Sequence, residues 1–245
     1  MLKDHQDAYG HEIYNYLKNK NTGFLEIVER DDGYVDVDNL KVYFSEYKEW
    51  APAERKAMRY ARGRVLDIGS GAGRHSLYLQ GKGLEVLAID NSPLAIEVCK
   101  LRGLRNAEVV PISQISSKLG VFDTILMLGN NFGLFGSFEG AKRLLKKLSR
   151  VTSEKGRIIA QSSNVYKTDN PDHLSYHELN RKRGRMAGQI RLRVRYKKYV
   201  TPWFDYLLVS KEEMESILDG NDWKINKLID SDGPMYIAII DKVKE

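Results

Sequence analysis

Val65-Leu66-Asp67-Ile68-Gly69-Ser70-Gly71-Ala72-Gly73-Arg74-His75 is the stretch that decides how this chain is read. It opens with a short, mostly apolar run, the mark of a strand buried in a sheet. The three glycines that follow let the backbone turn tightly and approach a ligand closely. A helix is expected over 74–80, and the N–H groups of its first turn have no partner within the helix. Strand, glycine turn and helix together form the general design for holding a nucleotide at the carboxyl ends of parallel strands.

The same alternation runs on along the chain. Val86-Leu87-Ala88-Ile89 ends on Asp90, and Ser92-Pro93 reads as N-cap and first position of a helix reaching about Leu101. Glu108-Val109-Val110 and the run 122–128 are further strands, and a basic helix is expected over 138–149. Gly156 should turn the chain into a fifth strand, 157–161. Apolar strands alternating with helices imply an α/β fold, a doubly wound and mostly parallel sheet covered on both faces. Ser210 with Glu213 forms a capping box for a helix ending at Gly220. Two last strands, 223–229 and 236–241, flank the turn Ser231-Asp232-Gly233-Pro234 and give the sheet a C-terminal antiparallel hairpin.

Two details select the ligand. A dinucleotide fingerprint spaces its glycines G-x-G-x-x-G so that a pyrophosphate meets the helix N-terminus. Here the third glycine comes one residue early, and Arg74 takes the expected place. Asp67 stands two residues before the first glycine, where a carboxylate would repel a pyrophosphate but attract the α-ammonium of methionine. Asp90 ends the next strand about 20 residues beyond the loop, where a carboxylate can accept both hydroxyls of a ribose. An acid for an amine, a glycine loop and an acid for a ribose describe S-adenosylmethionine.

Asp67-x-Gly69-x-Gly71-x-Gly73, with Asp90 ending the next strand, resembles motifs I and II of the class I S-adenosylmethionine-dependent methyltransferases. The resemblance covers roughly 64–242 and implies that family's seven-stranded Rossmann-like fold. It also implies that Asp67 serves the methionine end, that Gly69 and Gly71 allow close approach, and that Asp90 holds the ribose. Ser70, Gly73, Arg74, His75 and Asn91 complete the expected cofactor set, with His75 a polar neighbour of the cofactor carboxylate. The family places methyl transfer after the fourth strand, where this chain has Leu128-Gly129-Asn130-Asn131-Phe132. Asn130 and Asn131 are therefore the first catalytic candidates, although the pair also suits an Asx turn. The chain departs from the family after its third strand. Pro111-Ile112-Ser113 stands where an acidic residue often meets the adenine, so Ser113 or a backbone amide must serve.

The remaining segments bear on the acceptor. Residues 1–62 form an aromatic-rich leader, expected to pack as a lid on a methyltransferase domain of residues 63–245. It carries Tyr9, Tyr14, Tyr16, Phe24, Tyr34, Tyr43, Phe44, Tyr47 and Trp50, a strand at 35–37, and a helix from about Pro52 to near Arg62. Tyr9 and His11 would either close over a pocket or pack on the core. A substrate-side insertion is expected at about 163–209. Its Tyr176-His177-Glu178 and Asn180 read as part of a surface helix, and His177 is its acid/base candidate, since histidine titrates near neutral pH. Arg181, Lys182, Arg183, Arg185, Arg191, Arg193, Arg195, Lys197 and Lys198 concentrate positive charge. Between them, Ile190, Leu192, Val194 and Tyr196 alternate with the basic residues as in a strand with one apolar and one basic face.

The chain has 245 residues, a formal charge of +6, 42% hydrophobic and 29% charged residues, an ordinary soluble composition. No apolar run approaches the ~18 residues needed to span a bilayer, and Met1 to Asp7 lacks the apolar core of a secretory signal. Cys99 is the one cysteine, which excludes an internal disulfide and a multi-cysteine metal site and suits a reducing cytoplasm. It also argues against the cysteine-linked methylation of pyrimidine carbon, and Gly-Asn-Asn-Phe after the fourth strand argues against the adenine-N6 type. The reading is in-line methyl transfer to an oxygen or nitrogen of a small molecule, one that could bear a carboxylate or phosphate, with no metal. RNA is the rival acceptor. A nicotinamide-dependent oxidoreductase and a non-catalytic nucleotide-binding module are the alternatives from other classes.

Overall fold

The apolar runs become strands because backbone groups shielded from water must pair with one another. A computed structural model describes residues 1–19 and 25–243, so Phe24 of the leader lies outside the described residues. The chain begins with α1 (Ala8–Asn19), β1 (Leu25–Arg30), β2 (Val35–Asn39) and α2 (Pro52–Met58). There follow β3 (Val65–Ile68), α3 (Arg74–Gly81), β4 (Val86–Asp90), α4 (Pro93–Leu101), β5 (Ala107–Val109) and β6 (Phe122–Met127). Next come α5 (Phe138–Arg150), β7 (Thr152–Ser163), α6 (Pro171–Lys182), β8 (Gln189–Tyr196), β9 (Tyr199–Val200) and β10 (Phe204–Leu207). The chain closes with α7 (Lys211–Leu218), β11 (Trp223–Asp230) and β12 (Met235–Lys242).

Among the described residues the strands form two sheets. The larger has seven strands in the order β11-β12-β7-β6-β3-β4-β5 and is mostly parallel, with β12 antiparallel to both β7 and β11. This is the doubly wound α/β sheet with a C-terminal hairpin that the sequence led us to expect. The smaller sheet runs β10-β8-β1-β2, with β9 on β8. No local pattern in the chain announces it. The expected leader strand at 35–37 falls in β2, and the basic strand is β8. What joins them is β1, unforeseen, which pairs antiparallel with β2 on one side and with β8 on the other, Ile27 opposite Arg195 and Arg30 opposite Leu192. Alternation of polarity marks a strand but does not name its partner.

Three local expectations need correction. The helix that opens at Pro52 stops at Met58 rather than near Arg62. Beyond it the main chain of Arg62 is held by the Thr124 hydroxyl, which accepts from its N–H at 3.0 Å and donates to its carbonyl at 2.8 Å. Gly156 does not start β7, which already runs from Thr152. Instead the register against β6 jumps from Phe122–Thr152 to Thr124–Arg157, so a bulge in β7 absorbs the turn. The helix α6 is not wholly a surface helix: Tyr176, His177 and Asn180 are buried, while Glu178 between them is exposed. The Asn180 amide ties α6 to the following chain through the carbonyls of Ala187 (3.1 Å) and Gln189 (2.8 Å).

The chain divides into two compact units. The first holds Met1–Trp50, Leu66–Gln114 and Arg191–Phe204. Its core joins Ile13 of α1, Leu40, Ala72 of the glycine turn, and Ala95 and Val98 of α4, with Tyr9, Tyr43 and Phe44 packed against them. Asp7 fastens α1 to α4, accepting from Gly10 N–H and from Leu94 N–H, each at 3.1 Å. One carboxylate thus satisfies a free donor in the first turn of each helix. The second unit holds Ala51–Val65, Ile115–Ile190 and Asp205–Glu245. Ile125, Leu126, Ile158, Ile159 and Ile237 to Ile240 are buried there, and the Trp223 indole donates to the Leu145 carbonyl of α5 at 3.1 Å. Among the described residues no helix is long and apolar enough to cross a membrane.

Candidate active site

In the first unit the glycine turn takes its shape from the main chain. Gly69, Gly71 and Gly73 have φ of 71°, 55° and 76°, the left-handed region that side chains disfavour. The N–H groups of Gly69 and Ser70 donate to the Ile89 carbonyl of β4 at 2.9 and 3.1 Å. Two residues that the sequence did not connect with the turn also hold it. The Cys99 thiol donates to the Gly71 carbonyl at 3.2 Å, and the Arg102 guanidinium donates to the Ala72 carbonyl. Burial pushes the Cys99 thiol up to about 12, so it stays a thiol and a donor.

Two carboxylates flank the turn, as expected. Asp67 is buried and accepts from the Ser76 hydroxyl at 2.6 Å. Burial raises its pKa, while the nearby charge of His75, the Ser76 hydrogen bond and Arg74 oppose the rise. Asp90 takes one N–H on each oxygen, Gly71 on Oδ2 and Ser92 on Oδ1, both at 3.0 Å. Burial pushes it up to about 6, against those two hydrogen bonds. An ionised carboxylate has about four acceptor positions, so this one keeps capacity for further donors.

The other expected cofactor residues of this unit are less uniform. Ser70 is buried with its hydroxyl 3.8 Å from the Cys99 sulfur. Arg74 bonds the Ser45 hydroxyl at 3.0 Å and lies over the Trp50 ring, while His75 packs edge-on against the same ring. Asn91 is exposed and receives Leu2 N–H on its carbonyl. Ser113 is exposed in a short 3-10 turn, Ile112–Gln114. Tyr9 reaches the glycine turn itself, since a Cβ on Gly71 would lie 2.5 Å from its hydroxyl. His11 does not share that position. It stacks on Tyr199 and bonds Asp4.

The expected catalytic residues belong to the second unit. Leu128 is buried, and Asn130 adopts φ 61°, the left-handed region that asparagine tolerates. Gln161 Oε1 accepts from Gly129 N–H at 2.7 Å, and the Tyr206 hydroxyl donates to the Asn130 carbonyl at 2.6 Å. The Asn130 side chain accepts from the Ser163 hydroxyl at 3.3 Å. Asn131 opens a 3-10 helix, Asn131–Phe135. His177 is buried on α6, its ring 6.1 Å from that of Tyr166. Trp203-Phe204-Asp205-Tyr206 reads from the sequence as a hold for an aromatic or cationic substrate or as core. Neither Tyr206 nor Gln161 is tied by it to this turn, because no local pattern marks a residue that orients a distant turn.

The family model for a methyltransferase domain matches residues 65–156. A S-adenosylmethionine-dependent methyltransferase from Bacteroides fragilis, crystallised with S-adenosyl-L-homocysteine, is 29% identical with a TM-score of 0.85, over 100% of this chain and 98% of that one. Two others share the fold. A methyltransferase from Methanosarcina mazei is 17% identical with a TM-score of 0.60, over 80% of this chain and 99% of that one. The CcbJ methyltransferase from Streptomyces caelestis is 13% identical with a TM-score of 0.60, over 82% and 98%. No curated relative matches the chain. The full-length likeness to the Bacteroides enzyme and the family match starting at β3 agree with the glycine turn and its two acids: residues 65–156 carry a methyltransferase domain, and the chain is similar to S-adenosylmethionine-dependent methyltransferases of the class I, Rossmann-like kind.

Proposed function

We propose that this enzyme transfers a methyl group in line to an oxygen or nitrogen of a small-molecule acceptor, with the first unit's glycine turn as its cofactor cradle. The observation that carries the assignment is Asp90, a buried carboxylate that keeps acceptor capacity beside the Gly71 N–H. Ribose hydroxyls are the donors that would fill it. Asp67 gives the methionine end its counter-charge, Gly69, Ser70, Gly71 and Gly73 let the backbone approach, and Arg74 and His75 supply charge and polarity in the first turn of α3. Asn91 and Ser113 serve the adenosine, and Leu128 and Gly129 complete the set. The bound cofactor supplies a methyl carbon already activated by its sulfonium, so the protein's work is alignment and exclusion of water. Asn130 and Asn131 are the groups proposed to orient the acceptor, and His177 is the proposed proton acceptor.

A small molecule is favoured over RNA by Glu29, which already engages the two arginines Arg193 and Arg195 of the basic strand. Calorimetry with S-adenosylmethionine, S-adenosylhomocysteine and NAD tests the cradle, and binding of NAD alone would overturn it. Methyl-labelled cofactor offered with total RNA and with a low-molecular-weight extract tests the acceptor. Label confined to the RNA would overturn the small-molecule reading.

A further inference from the structure

The leader contains a polar cluster that the cofactor cradle does not use. Glu12 of α1 is fully buried, and neither carboxyl oxygen has a hydrogen-bond partner. Glu26 of β1 is 5% exposed and accepts from the Tyr43 hydroxyl at 2.6 Å. The Tyr43 ring meets that of Tyr9 edge-on, centroids 5.2 Å apart. Both rings face the cradle, because a Cβ on Gly71 would meet the Tyr9 hydroxyl and, at 3.9 Å, Tyr43 Cδ1. Among the described residues no cation pairs with either glutamate.

A buried carboxyl without a partner is costly, and nothing in its packing returns that cost. Burial and the neighbouring Glu26 push Glu12 up to about 9. Burial pushes Glu26 up to about 7, against the Tyr43 hydrogen bond and with Asp38 adding to the rise. The groups that act on this cluster are Asp38, Tyr9, Tyr43, and, through Tyr9, Asp90 and Cys99, all acidic or neutral. Two buried acids beside two aromatic rings are the complement of a desolvated cation.

We propose that Glu12, Glu26, Tyr9 and Tyr43 form the acceptor subsite and that the acceptor presents an amine there. The proposal rests on the small-molecule methyltransferase reading and narrows it to nitrogen. An alkylammonium has no lone pair, so it must lose a proton before it can accept a methyl group. One N–H bond breaks, the proton passes to the Glu26 carboxylate rather than to His177, and the electron pair stays on nitrogen as the nucleophile. Glu12, protonated in the free protein, ionises as the cation binds and gives it a counter-charge, and the rings exclude water.

Benzylamine, with benzyl alcohol as its neutral counterpart, probes the subsite by titration calorimetry in two buffers of different ionisation enthalpy, with and without S-adenosylhomocysteine. Benzylamine should bind at least roughly tenfold more tightly than benzyl alcohol and release protons near pH 7, because a bound cation ionises the carboxyls. Glu12→Gln and Glu26→Gln should each weaken benzylamine about tenfold while S-adenosylhomocysteine binding stays within about twofold. Failure of benzylamine to bind, equal binding of amine and alcohol, no proton release from the unsubstituted protein, or two glutamine variants that bind the amine normally would each overturn the subsite. The proton count needs no variant, so it decides even if a substitution unfolds the chain. Loss of S-adenosylhomocysteine binding by the unsubstituted protein would instead count against the cofactor cradle, and the titration without it still reads the subsite alone.

Discussion

The turns after β3 and after β6 both end strands of the seven-stranded sheet, and they are held in opposite ways. The first is shaped mainly by its own backbone, with three left-handed glycines and N–H groups bonded to the next strand, and Cys99 and Arg102 only brace its carbonyls. The second is shaped by side chains far along the sequence, Gln161 and Tyr206, acting on a glycine and a left-handed asparagine. A turn of the first kind is written where it stands. A turn of the second kind depends on residues that could be exchanged without altering any local pattern.

The comparison predicts that the first turn fails completely when one glycine is replaced. Gly71→Val places a branched side chain at φ 55° and drives it into the Tyr9 hydroxyl. Binding of S-adenosylhomocysteine should fall below detection in calorimetry while circular dichroism still shows the α/β content. Normal affinity in that variant would mean that the turn does not form the cradle. Asp90→Asn should act less severely. It keeps the shape but exchanges one strong acceptor for an amide, and should weaken S-adenosylhomocysteine by ~1.5–3 kcal/mol. Unchanged affinity in the folded variant would remove Asp90 from the ribose.

What the sequence made legible follows the same division. Asp67, Asp90, Ser92-Pro93 and the Ser210 capping box all act within a few residues of where they stand or at a fixed offset from the glycine turn. The small sheet was hidden because its pairing joins Ile27 to Arg195 across most of the chain. No pattern around Cys99 ties it to the glycine turn, and burial in a helix is reason enough for a cysteine there. Only its distance to the Gly71 carbonyl gives it a second duty. Glu12 and Glu26 were invisible for a related reason, since glutamate in a leader is ordinarily solvated and only packing reveals it buried.

The acids of the two units also differ, and pH should expose the difference. Glu12, Glu26 and Asp90 in the first unit have pKa values of about 9, 7 and 6, raised by burial. The folded chain therefore holds protons there that the unfolded chain has lost, and their contribution to stability drains away as pH climbs from about 4.5 through those values. In the second unit Asp123 is lowered, first by the Arg64 backbone N–H, and Asp241 is lowered by Arg157 and Asn226 against the opposing effect of burial. Their contribution is lost in the other direction, as pH falls below about 4. The free protein should show its highest Tm near pH 5, with a fall of roughly 5 °C by pH 9. Glu12→Gln should flatten that alkaline limb. A Tm that rises steadily from pH 5 to pH 9 would contradict the buried acids.

A smaller effect tests the second turn. Gln161→Ala removes the acceptor for Gly129 N–H and should cost about 1 kcal/mol of stability. It should lower kcat more than it changes the affinity for S-adenosylhomocysteine, because the cofactor acids lie elsewhere in the sequence and keep their own partners. Equal losses in both would show that the two turns are not independent.

The smallest effects belong to the basic strand, where position rather than charge should set the cost. Arg193 grips Glu29 through Nε and Nη2, each at 2.9 Å, and lies 4.5 Å from the centroid of Trp203. Arg195 makes one bond to the same carboxylate at 3.1 Å, and its side chain is 48% exposed. A forked, ring-covered pair resists solvent competition, whereas an exposed single contact contributes little. Arg193→Gln should therefore cost about 1 kcal/mol in denaturant unfolding, and Arg195→Gln no more than ~0.5 kcal/mol. Neither should flatten a salt dependence of RNA binding by the full unit per residue that a phosphate track requires. If both variants instead lose RNA affinity equally, and the loss vanishes at high salt, Glu29 is only a placeholder for a nucleic-acid backbone.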